Sequence, residues 1–114
     1  MLNMDTLRAF GADAEEGLRR CVNNEGLYFR LVNLTVKDPN FQALPEAPAQ
    51  GDLKAGFEAA HALKGVLANL SLTPILTPVV QITELLRGRV ETDYQPYLDE
   101  IAAQRAKLEA MIAE

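Results

Sequence analysis

Tryptophan is absent from this 114-residue chain, and three tyrosines and four phenylalanines leave little material for a platform that stacks nucleic-acid bases. Positive charge is also scarce. Eleven Lys and Arg face sixteen Asp and Glu, a net charge of -5, which argues against a general nucleic-acid binder because such a surface must displace counterions. A single cysteine, Cys21, excludes an internal disulfide and suits a reducing compartment, so the expected location is cytoplasmic. With one histidine and one cysteine, a zinc site of three or four protein ligands is hard to assemble. Every long apolar stretch is broken within a few residues by charge or proline, so no segment spans a bilayer. The start, Met1-Leu2-Asn3-Met4-Asp5, lacks the basic residues and apolar run of a signal peptide. There is no Gly-rich phosphate loop and no Gly-x-Ser-x-Gly elbow.

What remains is a chain whose apolar fraction, 48%, suffices for one core, read as a single domain over residues 1–114. Alternation at period two is nowhere sustained; spacings of three and four dominate, the helical signal. Short helices are expected from about Asp5 to Phe10 and from about Asp13 to Val22. In the second, acidic residues at the start and Arg19 and Arg20 at the end match the helix dipole. Asn24 can cap a third helix, with Leu27, Leu31 and Leu34 on one face beside Tyr28 and Val32, ending at Asp38-Pro39-Asn40. Residues 41–51, with Pro45, Pro48 and Gly51, read as a loop in which Phe41 and Leu44 anchor to the core. Asp52 then caps a long helix to about Leu70, whose seam is Leu53, Phe57, Ala60, Leu63, Leu67 and Leu70. Thr73-Pro74 reads as a cap and first-turn proline. Pro78 implies either a start near Thr77-Pro78 or a bend there. Ile75, Val79, Ile82 and Leu86 form the stripe of that helix, and Gly88 its stop. A last helix runs from about Asp93, with Tyr94, Tyr97, Leu98, Ile101, Leu108, Met111 and Ile112 as core candidates. The fold class is all-α: an up-down four-helix bundle with short additional N-terminal helices.

The long helix carries the chemistry. At about 100° per residue, His61 lies roughly 115° from the centre of the seam, on a shoulder that reaches solvent with Lys54, Glu58, Gly65 and Ala68. Lys64 stands one turn on, near the core boundary. An imidazole in water is largely neutral at neutral pH and keeps a free lone pair that can attack phosphorus. Lys64 brings positive charge toward the incoming group, and Gly65 and Ala68 leave room beside the ring. Gly65 in a helix interior costs about 1 kcal/mol relative to alanine and so requires a reason. Taken one by one, these residues also have bland readings: a surface histidine, a solvated lysine, and a glycine that allows close helix packing, as Gly56 shows in the same helix.

Together they form a motif. Ala60-His61-Ala62-Leu63-Lys64-Gly65 resembles the His-x-Leu-Lys-Gly signature of histidine-containing phosphotransfer (HPt) domains. The continuation Ala68-Asn69-Leu70-Ser71-Leu72 is similar to that family's Ala-Asn-Leu-Gly-Leu run, with serine in place of the usual glycine. Leu27-Tyr28-Phe29-Arg30-Leu31, followed later by Gly51-Asp52, has the order of stand-alone bacterial members, and the resemblance covers most of residues 13–110.

The resemblance implies a phosphorelay intermediate, a carrier without kinase or hydrolase activity. His61 would accept and donate the phosphoryl group, Lys64 would stabilise its charge, and Gly65 would give steric access. Its partners would be response-regulator receiver domains, including those of a hybrid histidine kinase, docking at Ala62, Val66, Ala68 and Asn69. No nucleic acid or membrane partner is expected, and the default state is a monomer. No cofactor or metal is expected on this chain, since Mg²⁺ would sit on the receiver. The alternative is a non-relaying module that binds a receiver or kinase through the same fold. Many family members orient the histidine with a glutamine on the next helix. Here Thr83 falls at that place, with Gln81 two residues earlier and about 200° around the helix; either, or neither, fills the role.

Overall fold

Short polar side chains mark four of the helix starts. Asn3, Asp13, Asn24 and Asp52 accept the backbone N–H groups of Thr6, Glu16, Leu27 and Ala55 at 2.8, 3.3, 3.0 and 3.0 Å. Each satisfies a donor that the first helical turn leaves free. The computed structural model describes residues 1–114 as seven helices and no strand: α1 Met4–Phe10, α2 Ala14–Arg20, α3 Glu25–Thr35, α4 Asn40–Ala49, α5 Leu53–Asn69, α6 Thr73–Arg87 and α7 Gln95–Ala113. α5 packs between α4 and α6, and α6 packs on α7. Their short connections make neighbours antiparallel. α1, α2 and α3 close one end, and all seven helices place side chains in or against one continuous apolar core.

The segment expected to be a loop, residues 41–51, is mostly helix α4, despite Pro45 and Pro48. Asp38 accepts the Asn40 N–H at 2.8 Å and starts the helix just after Pro39. Phe41, Leu44 and Ala47 then recur every third residue and bury one face. A helical proline costs about 3 kcal/mol, and burying a phenylalanine or leucine returns about 1.5–3 kcal/mol each. Tertiary burial thus offsets the local penalty, and the Phe41 and Leu44 anchors hold as expected. Gly51, at φ +78°, turns the chain into α5.

Three smaller expectations are corrected. α3 ends at Thr35, before Asp38, and its buried face is Tyr28, Val32 and Thr35; Leu27 and Leu31 are half-buried and Leu34 is 60% exposed. Leu72, not Thr73, is the cap of α6, so Thr73 and Pro74 occupy its first turn. The helix runs unbroken through Pro78, which is buried, and the start at Thr77-Pro78 is excluded. Pro78 is the sixth residue of α6, so its missing N–H deprives only the Pro74 carbonyl. The Thr77 hydroxyl donates to the Thr73 carbonyl beside it at 3.0 Å. Ile75, Val79, Ile82 and Leu86 are fully buried, as their spacing requires.

Candidate functional site

The buried face of α5 is Gly56, Ala59, Ala60, Leu63 and Leu67, and its seam turns His61 outward. His61 is exposed, together with Lys54, Glu58, Ala62 and Gly65. The two glycines of this helix have different causes. A Cβ at Gly56 would lie 3.3 Å from Leu86 Cδ2 and from Pro48 Cγ, so Gly56 admits α4 and α6. A Cβ at Gly65 would meet nothing within 4 Å. Helix packing therefore does not explain Gly65, and an open surface beside the imidazole does.

Lys64 is half-buried one turn from His61, as its stem requires. Its ammonium is 4.0 Å from Glu84 Oε1 on α6, and Glu84 Oε2 accepts from Arg87 Nε at 3.2 Å. One carboxylate thus lies between two cations at the edge of the site. The residues considered for orienting the ring are elsewhere engaged or turned away. Thr83 is fully buried and donates its hydroxyl to the Val79 carbonyl at 2.6 Å, within its own helix. Gln81 is exposed and makes no hydrogen bond to His61. Neither imidazole nitrogen hydrogen-bonds the chain.

What touches the imidazole is Phe57. The two rings stack one turn apart, with centroids 5.5 Å apart and planes 18° from parallel. The guanidinium carbons of Arg87 and Arg89 lie 4.9 and 5.7 Å from the Phe57 ring centre. In the sequence Phe57 reads only as a seam residue, and neither arginine stands out. The one available signal is that Phe57 precedes His61 by four, the spacing at which helical side chains meet.

The far end of α5 is braced from α2 and α3. Arg20 donates to the Ala68 carbonyl at 2.8 Å and the Tyr28 hydroxyl to the Leu70 carbonyl at 2.8 Å. These bonds satisfy carbonyls that a helix end leaves free. Burial raises the Tyr28 pKa to about 12 and keeps the hydroxyl protonated as a donor. Ser71 follows at φ +54°, a left-handed backbone, and its carbonyl accepts the Asp13 N–H at 3.0 Å. Among the residues expected to dock a partner, Val66 and Asn69 line a shallow groove with Leu31, Thr35, Gly65 and Leu70. Ala62 is exposed outside that groove and Ala68 is half-buried.

No helix is long and apolar enough to cross a membrane, and no three His, Cys, Asp or Glu side chains gather where a metal could bind. No curated protein and no solved structure matches the chain. The model of the Hpt domain family matches residues 5–114, essentially its whole length. Members of that family are phosphocarrier modules that interact with receiver domains and kinases in two-component signalling. With an all-helical bundle and an exposed histidine on its central helix, the chain belongs to the Hpt domain family.

Proposed function

We propose that His61 is the phosphoryl acceptor and donor of a phosphorelay step between aspartyl-phosphate receiver domains. The observation that carries this reading is the setting of the chain's only histidine: an exposed imidazole on α5, with clear space over Gly65 and a lysine one turn away. In the transfer, a lone pair of the neutral imidazole attacks phosphorus. The N–P bond forms as the P–O bond of the acyl phosphate breaks, and the aspartate leaves as carboxylate. The other ring nitrogen keeps its proton until water takes it. Return transfer reverses each step.

Little covalent chemistry falls to this chain, because phosphoryl transfer depends mostly on position and charge. Lys64 holds a cation near the transferred group, and Gly65 admits the rim of the partner's active site. The receiver supplies Mg²⁺, and no cofactor is held here. The chain acts as a carrier, without kinase or hydrolase activity of its own, and works as a monomer in the cytoplasm. The exposed Leu34 and the groove lined by Leu31, Val66 and Asn69 supply an apolar docking surface next to Gly65. Ala62 and Ala68 flank it on α5.

The test is label transfer from a ³²P-phosphorylated receiver. Wild type takes up acid-labile label and His61→Gln does not. An unlabelled wild type with every receiver tried, beside a working control HPt domain, favours the non-relaying binding module. Label persisting in His61→Gln means another acceptor.

A further inference from the structure

Resting on His61 as acceptor, we infer that Phe57 is the positioning residue for its ring, doing by stacking what a hydrogen-bonding side chain on α6 does not do here. The imidazole is exposed and unbonded, so without another contact it would rotate among several orientations. Phe57 limits them, since its ring stacks with the imidazole, centroids 5.5 Å apart and planes 18° from parallel. Phe57 is itself held. It is half-buried against the core, and Arg87 at the end of α6 and Arg89 in the turn just after it lie over its ring. Such aromatic and cation–π contacts favour defined geometries.

The alternatives on the next helix are closed. Thr83 spends its hydroxyl on the Val79 carbonyl, and Gln81 points to solvent. Stacking has a chemical consequence that a hydrogen bond lacks. It fixes the plane of the ring while leaving both nitrogens unoccupied, so neither tautomer is selected by the fold. One nitrogen can then attack while the other sheds its proton directly to water.

The test combines ring-proton NMR with transfer kinetics in wild type, Phe57→Leu and Phe57→Tyr. Leucine keeps apolar bulk in place and removes the aromatic face; tyrosine keeps the face. Wild type and Phe57→Tyr should show His61 ring protons shifted upfield by the Phe57 ring current, and Phe57→Leu should lose that shift. Maximal transfer from a phosphorylated receiver should fall about three- to tenfold in Phe57→Leu, with KM for the receiver unchanged, and recover in Phe57→Tyr. Phosphorylation by phosphoramidate, which needs no docking, should fall by the same factor.

Loss of the ring-current shift with both rates unchanged overturns the proposal, as does a change confined to KM. Absence of the shift in wild type also overturns it. Failure of the acceptor reading looks different: wild type itself would not be phosphorylated at His61 by either donor, whatever stands at position 57.

Discussion

Gly65, Gly56, Gly17 and Ser71 show how far a single side chain decides this molecule. Gly65 faces open space, so Gly65→Ala should keep or raise stability, by up to about 1 kcal/mol from helix propensity. Transfer to and from a receiver should nonetheless slow, because the added methyl stands beside the imidazole. Thermal melts and transfer rates on one preparation check both halves. Gly17 behaves oppositely, because a methyl there would run into the Tyr28 hydroxyl and lie 2.7 Å from the Leu70 carbonyl. Gly17→Ala should lower stability by about 1–3 kcal/mol, measured by denaturant unfolding. Ser71 holds a left-handed backbone, which costs a non-glycine residue about 1–2 kcal/mol. Ser71→Gly should recover roughly half or more of that, since more chain entropy is lost on folding a glycine. The departure from the family's usual glycine is thus a local strain at the end of α5, and an unchanged or lower melting temperature would contradict that explanation.

Between helices, the decisive contacts are those that hold the end of α5 and the edge of the site. Tyr28 joins α3 to the Leu70 carbonyl from a fully buried position. Tyr28→Phe should cost about 1–3 kcal/mol, because that carbonyl is left without its partner. Burial lifts the Tyr28 pKa from about 10 to about 12, which opposes ionisation in the fold. The stabilising term is therefore complete below pH 10 and is lost as pH rises from 10 toward 12. Burial raises the Tyr94 pKa too, in the same direction. Unfolding followed across that range should show stability falling, less steeply in Tyr28→Phe.

Much of this arrangement is legible in the sequence, and the part that is not has definable causes. The caps Asn24 and Asp52, the start of α2 near Asp13, the stripe Ile75-Val79-Ile82-Leu86 and the outward shoulder of His61 follow from local residue type and spacing. α4 does not, because Pro45 and Pro48 dominate the local pattern while the burial of Phe41 and Leu44 depends on where α5 lies. Leu34 reads as core for a related reason: periodicity gives the width of an apolar face but not which edge a neighbour covers. At the site, the histidine, lysine and glycine lie in one short segment and are visible together. The Phe57 contacts with Arg87 and Arg89, and the Glu84 bridge between Lys64 and Arg87, join α5 to α6 and the turn after it across twenty or more residues of chain. No local pattern encodes such pairs.

Taken as a unit, the molecule is an acidic bundle with three of its eleven Lys and Arg residues near one imidazole. Its net charge is -5, yet Lys64, Arg87 and Arg89 all lie around the Phe57–His61 stack. Glu84 offsets part of that charge, and the remaining cations complement the acidic, phosphorylated partner proposed above. The groove beside Gly65, with the exposed Val66 and Leu34, supplies the apolar part of the encounter. Val66→Asp should raise KM for the receiver about tenfold while leaving the melting temperature and the rate with phosphoramidate unchanged, which steady-state and small-donor assays check. The most direct measurement is a single-turnover chase. Wild type labelled on His61 is mixed with an unlabelled receiver and Mg²⁺, and label should leave the chain and appear on the receiver's aspartate. A labelled His61 that every receiver leaves untouched, while the same receivers accept phosphate from a control HPt domain, would contradict the relay.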